Sequence, residues 1–168
     1  MSYFPMCMSL EGKTVLLVGD GPQICSKTEV LKSFDAKICH RDSLTVSDLT
    51  EDVAFVVIGD TPPDLAARYG ELCVRHRMPV NVVDQPELCT FCFPALIQRG
   101  DLTVSVSSGG KAPGVSTYFK NRVAEMLPPE TAEILEEIAL LRQDLYAQYP
   151  KEIARQRLKE AIEQAFSS

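Results

Sequence analysis

Asp84 stands at the end of Val80-Asn81-Val82-Val83, a run dominated by β-branched residues. A carboxylate at the exit of a buried strand can remove a proton or receive a metal. In open α/β sheets, ligands bind beyond the carboxyl ends of the strands, which is where this side chain would sit. The residues after it, Gln85-Pro86, also suit a turn in which an aspartate does no more than satisfy backbone groups.

A second candidate lies in VLLVGDGPQI, residues 15–24. A strand, a glycine turn and a helix in that order can set a diphosphate over a helix N-terminus. Gly19 and Gly21 take the G-x-G positions, and Ile24 takes the third, where a small residue would allow close helix–strand packing. Asp20 adds negative charge where phosphates would approach. Pro22 suits a first helical turn but removes one N–H donor. The candidate cofactor contacts are therefore Gly19, Gly21, Pro22 and Gln23, with Asp42 and Ser43 about twenty residues on, near where an acidic group takes ribose hydroxyls. The same residues also describe a tight β–α turn with no nucleotide.

Ser107-Ser108-Gly109-Gly110-Lys111 precedes a helical pattern. Its backbone N–H groups could hold carboxylates or phosphates, or the segment could be a flexible connector. Arg99, Lys111, Lys120 and Arg122 are the nearby basic residues, with solvated surface as their ordinary reading. Cys89-Thr90-Phe91-Cys92 has C-x-x-C spacing. Zinc would need a second ligand pair, and His40 and His76 are isolated; a thioredoxin-type pair would open a helix, whereas this one leads into a strand. No metal site is assigned.

These groups need a scaffold. Thr14–Val18, Ala36–Cys39, Ala54–Ile58 and Pro79–Val83 read as short strands, separated by a helical pattern at 25–34, a polar connector at 44–50, and a helix through Leu65–Cys73 with Asp64 as its N-cap. Strands alternating with helices predict a parallel sheet covered on both faces, with continuous apolar runs. The pattern then changes. Phe93–Gln98 and Leu102–Ser107 predict a hairpin joined by Arg99-Gly100-Asp101, the second strand alternating Leu102, Val104, Val106 against Thr103, Ser105, Ser107. Helices follow at 114–126, 130–148 and 152–166, broken by Pro128-Pro129 and Pro150.

The chain has 168 residues, 45% hydrophobic and 24% charged, with a net charge of -6. That is enough to bury a sizeable core, and it argues against general nucleic-acid binding. No apolar run approaches the roughly 20 residues of a membrane span. MSYFPMCMSLEGK carries no basic region ahead of an apolar stretch, so a cytoplasmic protein is expected. The six cysteines are expected to be reduced thiols.

VNVVDQPELCTFCFPALIQRGDLTVSVSSGGKAP resembles the central segment of the precorrin-2 dehydrogenase / sirohydrochlorin ferrochelatase family. The match runs through Asn81, Val82, Val83, Asp84, Pro86, Phe91, Pro94, Arg99, Leu102, Ser107, Gly109, Gly110 and Pro113. The resemblance implies an α/β fold: a shortened Rossmann-like parallel sheet binding NAD over 1–92, a small hairpin-plus-helix dimerisation region over 93–127, and a helical region over 128–168. It implies a homodimer that oxidises precorrin-2 to sirohydrochlorin with NAD, and in bifunctional members inserts ferrous iron. It carries the family's essential aspartate onto Asp84. With a tetrapyrrole rich in carboxylates as substrate, Arg99, Ser107, Ser108, Gly109 and Lys111 become candidate substrate contacts.

The family's nucleotide loop, G-G-G-x-[VI]-A-x-R-K, is here Gly19-Asp20-Gly21-Pro22-Gln23-Ile24-Cys25-Ser26-Lys27. The segment 40–52 is shortened, and Gly59-Asp60-Thr61-Pro62-Pro63-Asp64 replaces the usual A-T-x-x-x-x-x-N. These departures fall on the cofactor half. They leave an alternative: a non-catalytic or chelatase-only tetrapyrrole-binding homologue that has lost normal NAD binding.

Overall fold

The computed structural model describes residues 3–167. They fall into two units, divided between Cys92 and Phe93. The first contains four strands, β1 (Thr14–Val18), β2 (Lys37–Arg41), β3 (Val53–Ile58) and β4 (Val80–Val82), with α1 (Pro22–Lys32) after β1 and α2 (Pro63–Arg75) after β3. The strands are parallel in the order β2-β1-β3-β4.

The continuous apolar runs are explained by burial on both faces. Leu16, Val18, Val56, Ile58, Val80 and Val82 cluster with Ala66 and Cys73 of α2. Val15, Leu17 and Val57, on the opposite face by strand alternation, are fully buried, and α1 packs on β1 and β2. Each such side chain contributes about 1.5–3 kcal/mol by leaving water. β2 lies at the sheet edge and is correspondingly more exposed.

Prolines shift two helix starts from their expected places. α1 begins at Pro22 rather than Cys25, because a proline's fixed φ suits the first helical position; Gly21 becomes the N-cap. In α2, Pro62 is the N-cap and Pro63 opens the helix. Asp64, expected as the cap, falls instead within the first turn, where its charge favours the positive end of the helix dipole. The polar connector after β2 contains a 3₁₀ turn at Val46–Asp48. Thr45 donates to Asp48 Oδ2 from its hydroxyl at 2.7 Å and its backbone N–H at 2.8 Å. These two bonds, the hydroxyl's first, hold the Asp48 carboxyl below its ordinary range.

β4 is an edge strand, and the chain after it folds back to cover it. The Val80 N–H donates to Thr90 Oγ1 and the Thr90 N–H to Val80 O, both at 2.8 Å. Asn81 Nδ2 donates to Phe91 O at 3.1 Å, and the Phe91 ring meets Phe55 edge-on at 4.9 Å. The C-x-x-C segment thus protects a sheet edge. All six cysteines are free thiols.

In the second unit, β5 (Ala95–Arg99) and β6 (Leu102–Val106) form an antiparallel hairpin. Arg99, expected in the turn, pairs with Leu102, leaving the two-residue turn Gly100-Asp101 with Gly100 at φ +56°. Phe93 and Pro94, expected in the strand, precede it, since proline has no N–H for a ladder. Three helices follow: α3 (Pro113–Met126), α4 (Thr131–Gln148) and α5 (Lys151–Ala165). α3 packs on the hairpin, and α4 pairs with α5. Among the described residues no helix is long and apolar enough to cross a membrane.

Candidate functional site

β1 and β3 are adjacent, yet the helices after them return to opposite sides of that pair: α1 leads to β2 and α2 to β4. Their exits mark the switch point of the sheet, where ligands of such folds bind. The backbones approach very closely there. Gly59 N–H donates to Val18 O at 3.1 Å, and a Cβ on Gly19 would lie 1.8 Å from Gly59 O. With φ at +110° as well, Gly19 is a position for glycine alone.

A cavity of about 440 Å³ opens beyond the carboxyl ends of β3 and β4, within the range of small-molecule sites, roughly 300–1,000 Å³. Gln23, Gly59, Asp60, Thr61, Asp84 and Gln85 supply most of its polar lining. Asp84 is exposed at φ +63°. The ladder extends one step past β4, with Val83 N–H on Ile58 O at 2.8 Å, and Asp84 then turns the chain away. Gln85 secures the turn: its N–H reaches Val82 O at 3.3 Å and its Nε2 reaches Pro63 O at 3.2 Å.

Gln23 connects the two sides of this site. Its Nε2 donates to Asp84 Oδ2 at 2.8 Å, and its Oε1 accepts the Asp60 N–H at 3.3 Å. Asp60 in turn accepts the Ile24 N–H on Oδ2 at 3.0 Å, at the N-terminus of α1. Asp60 escaped the sequence reading as a site residue. Its signal was the Gly59-Asp60 pair at the exit of β3, which repeats Gly19-Asp20 at the exit of β1.

The other candidates divide between the units. Gly19, Gly21, Pro22 and Gln23 surround the start of α1, and Asp42 and Ser43 lie exposed just past β2. Beside them Arg41 Nε meets Asp48 Oδ1 at 3.3 Å. Arg99, Ser107, Ser108, Gly109 and Lys111 belong to the second unit. There Ser107 Oγ accepts the Gly109 N–H and Ser108 Oγ accepts the Ala112 N–H, each at 3.1 Å, so the segment is a hydrogen-bonded turn. Arg99 Nη1 donates to Gln98 O at 3.0 Å.

Two of the thiols, Cys73 and Cys89, are made poor nucleophiles by burial. Burial pushes Cys73 up to about 12. Burial also raises Cys89, against the pull of its bond with the Val82 backbone. Among the described residues no three His, Cys, Asp or Glu side chains gather in a metal-binding group. Burial lowers Lys27 on α1.

The donors at the start of α1 fit a dinucleotide in kind. The turn already receives an anionic group, since the Asp60 carboxylate lies on the Ile24 N–H. A Cβ on Gly21 would come within 2.5 Å of Asp60 Cγ, so the space left by the missing side chain is where that carboxylate sits.

A parallel sheet with its glycine turn at the switch point and a cavity at the strand ends defines a Rossmann-type nucleotide-binding domain. A family pattern described as "Putative NAD(P)-binding" matches residues 39–95. The chain is 34% identical over 177 residues to the siroheme biosynthesis protein met8 of Schizosaccharomyces pombe, an alignment covering 91% of this chain and 67% of that protein. It is 30% identical over 182 residues to the siroheme synthase of Thioalkalivibrio sulfidiphilus, covering 96% of this chain and 37% of that one. The chain thus spans little more than a third of the length of that bacterial relative. A solved precorrin-2 dehydrogenase, SirC, has the same fold at a TM-score of 0.77 and 16% identity, covering 99% of this chain and 93% of that chain. The chain belongs to the precorrin-2 dehydrogenase / sirohydrochlorin ferrochelatase family.

Proposed function

We propose that the chain oxidises precorrin-2 to sirohydrochlorin with NAD, Asp84 taking the proton that leaves the macrocycle. One geometry carries this reading: an exposed carboxylate at the exit of β4, beside the strand-end cavity, with Gln23 donating to one of its oxygens. The names of the relatives, two of them siroheme-pathway proteins, support the substrate class. They do not favour the alternative of a homologue that has lost cofactor binding.

The reaction removes one hydride and one proton from the ring system. NAD, when bound, supplies the acceptor for the hydride. Gly19, Gly21 and Gln23 would hold its diphosphate portion, Pro22 would fix the direction of α1 beneath it, and Asp42 and Ser43 would meet the ribose hydroxyls. Gln23 engages Asp84 Oδ2, which leaves Oδ1 to receive the proton. If ferrous iron is a second substrate, the two pyrrole protons it displaces would leave through the same carboxylate one after the other, the first passing to water before the second is taken. Arg99 and Lys111 would counter the substrate's carboxylates, with Ser107, Ser108 and Gly109 shaping the turn between them. Val115, Tyr118, Phe119 and Met126 are exposed along α3 and offer an apolar surface to a second copy in a homodimer. In this reading the protein works in the cytoplasm.

The test is turnover of precorrin-2 with NAD, followed by the absorbance of sirohydrochlorin. Asp84→Asn is the cleaner variant, because asparagine tolerates the left-handed backbone found at this position. We expect kcat to fall by about 100-fold or more, as for loss of a general base, with unchanged calorimetric affinity for NAD. Full turnover by the variant would remove Asp84 from the chemistry. No NAD-dependent turnover by the unaltered protein would remove the oxidation itself.

A further inference from the structure

We infer that Asp60 sets the dinucleotide affinity of this site, its carboxylate occupying the anion-binding turn of α1 until a diphosphate displaces it. The inference rests on the reading that a nicotinamide dinucleotide binds at this turn. Three observations carry it. First, Asp60 Oδ2 accepts the Ile24 N–H at 3.0 Å. Pro22 has no N–H, and the Cys25 N–H is already bonded to Gly21 O within the helix, so the Ile24 N–H is one of few donors the turn can offer a phosphate.

Second, the space is the same space. A Cβ built on Gly21 would meet Asp60 Cγ at 2.5 Å and Asp60 Cβ and Oδ1 at 2.8 Å. Glycine in a dinucleotide turn lets the diphosphate approach the backbone; here a side chain from the exit of β3 makes that approach. A phosphate and this carboxylate cannot both stand there, for volume and for like charge.

Third, two hydrogen bonds tie Asp60, in a left-handed conformation, to the start of α1. Its φ is +51°, in the left-handed region that aspartate and asparagine enter more readily than most residues and glycine enters freely. The bonds that hold it are those to the Ile24 N–H and to Gln23 Oε1. Displacement breaks the first and loosens the second. Because Gln23 also donates to Asp84, filling the turn would reach the reacting carboxylate through one amide side chain.

The experiment is calorimetric titration with NAD and with ADP-ribose of the unaltered protein, Asp60→Asn and Asp60→Gly. Asparagine removes the charge and keeps the backbone; glycine removes the competitor and suits the φ. We expect both ligands to bind about tenfold more tightly to Asp60→Gly, the size of a typical helix-cap interaction no longer given up on binding, and by a smaller factor to Asp60→Asn, whose amide oxygen can still accept the Ile24 N–H. We also expect ligand-free Asp60→Gly to melt a few degrees lower, since the bond to the Ile24 N–H is lost. NAD affinity unchanged or weakened in both folded variants overturns the inference and leaves the oxidation reading standing. Tighter NAD binding without oxidation of precorrin-2 overturns that reading and leaves the inference standing. No binding by any of the three proteins overturns both.

Discussion

Two glycine segments carry candidate contacts in this chain, one in each unit, and they use glycine for different reasons. At Gly19–Gly21 the missing side chains are filled space: the Cβ positions collide with Gly59 O at 1.8 Å and Asp60 Cγ at 2.5 Å. At Ser107–Lys111, Gly110 has φ +80° and nothing within 4 Å of its Cβ position. The first segment is a joint at which two strand exits and a helix start are pressed together. The second is a hydrogen-bonded turn with open space beside Gly110. A glycine pressed against a backbone carbonyl, as Gly19 is, cannot be replaced without moving that backbone, whereas one that permits a dihedral costs only that dihedral.

The largest expected effect breaks the joint. Gly19→Ala should destabilise the first unit by about 4 kcal/mol or more, since the contact is with a backbone carbonyl and the φ is also wrong for alanine. Urea unfolding would show it as a loss of most of the folded baseline. A midpoint within error of the unaltered protein would mean that the exits of β1 and β3 lie further apart than described.

A smaller effect sharpens the comparison by leaving the joint folded and altering what it holds. Gln23→Leu keeps a similar volume and removes both the donor to Asp84 and the acceptor for the Asp60 N–H. A hydrogen bond to a charged but exposed group should be worth about a factor of ten. We therefore expect kcat for precorrin-2 oxidation to fall about tenfold, with KM for the macrocycle within about twofold. Steady-state kinetics with an unchanged kcat would show that Asp84 needs no help in presenting its carboxylate.

The contrast between the segments also marks where sequence reading reached its limit. The apolar runs at Thr14–Val18 and Ala54–Ile58 were legible because a parallel sheet buries both faces, and burial leaves a continuous signature. The exit aspartate at Asp84 was legible because it follows such a run. The bond from Gln23 to Asp84 joins residues 61 apart, and the bond from Ile24 to Asp60 joins residues 36 apart. Both exist only because the strand order puts β1 beside β3 and β3 beside β4, and no local pattern encodes that adjacency. The helix starts failed for a narrower reason. Side-chain periodicity begins where a helix first packs, as at Ile24, whereas the backbone becomes helical earlier, at Pro22.

The smallest effect tests the other half of the comparison. Gly110→Ala should cost about 1 kcal/mol, the penalty for an alanine in a left-handed conformation, because open space surrounds the position. Its neighbours should hold their places: Ser107 and Ser108 tie down the Gly109 and Ala112 N–H groups whatever stands at 110. The expected result is a melting temperature lower by a few degrees, with precorrin-2 turnover close to that of the unaltered protein. Should Gly110→Ala leave stability nearly untouched but raise KM for the macrocycle by more than about tenfold, the open space at Gly110 would be space for substrate. The second glycine would then also serve close approach, to a ligand in place of a strand, and the difference between the two segments would be one of partner only.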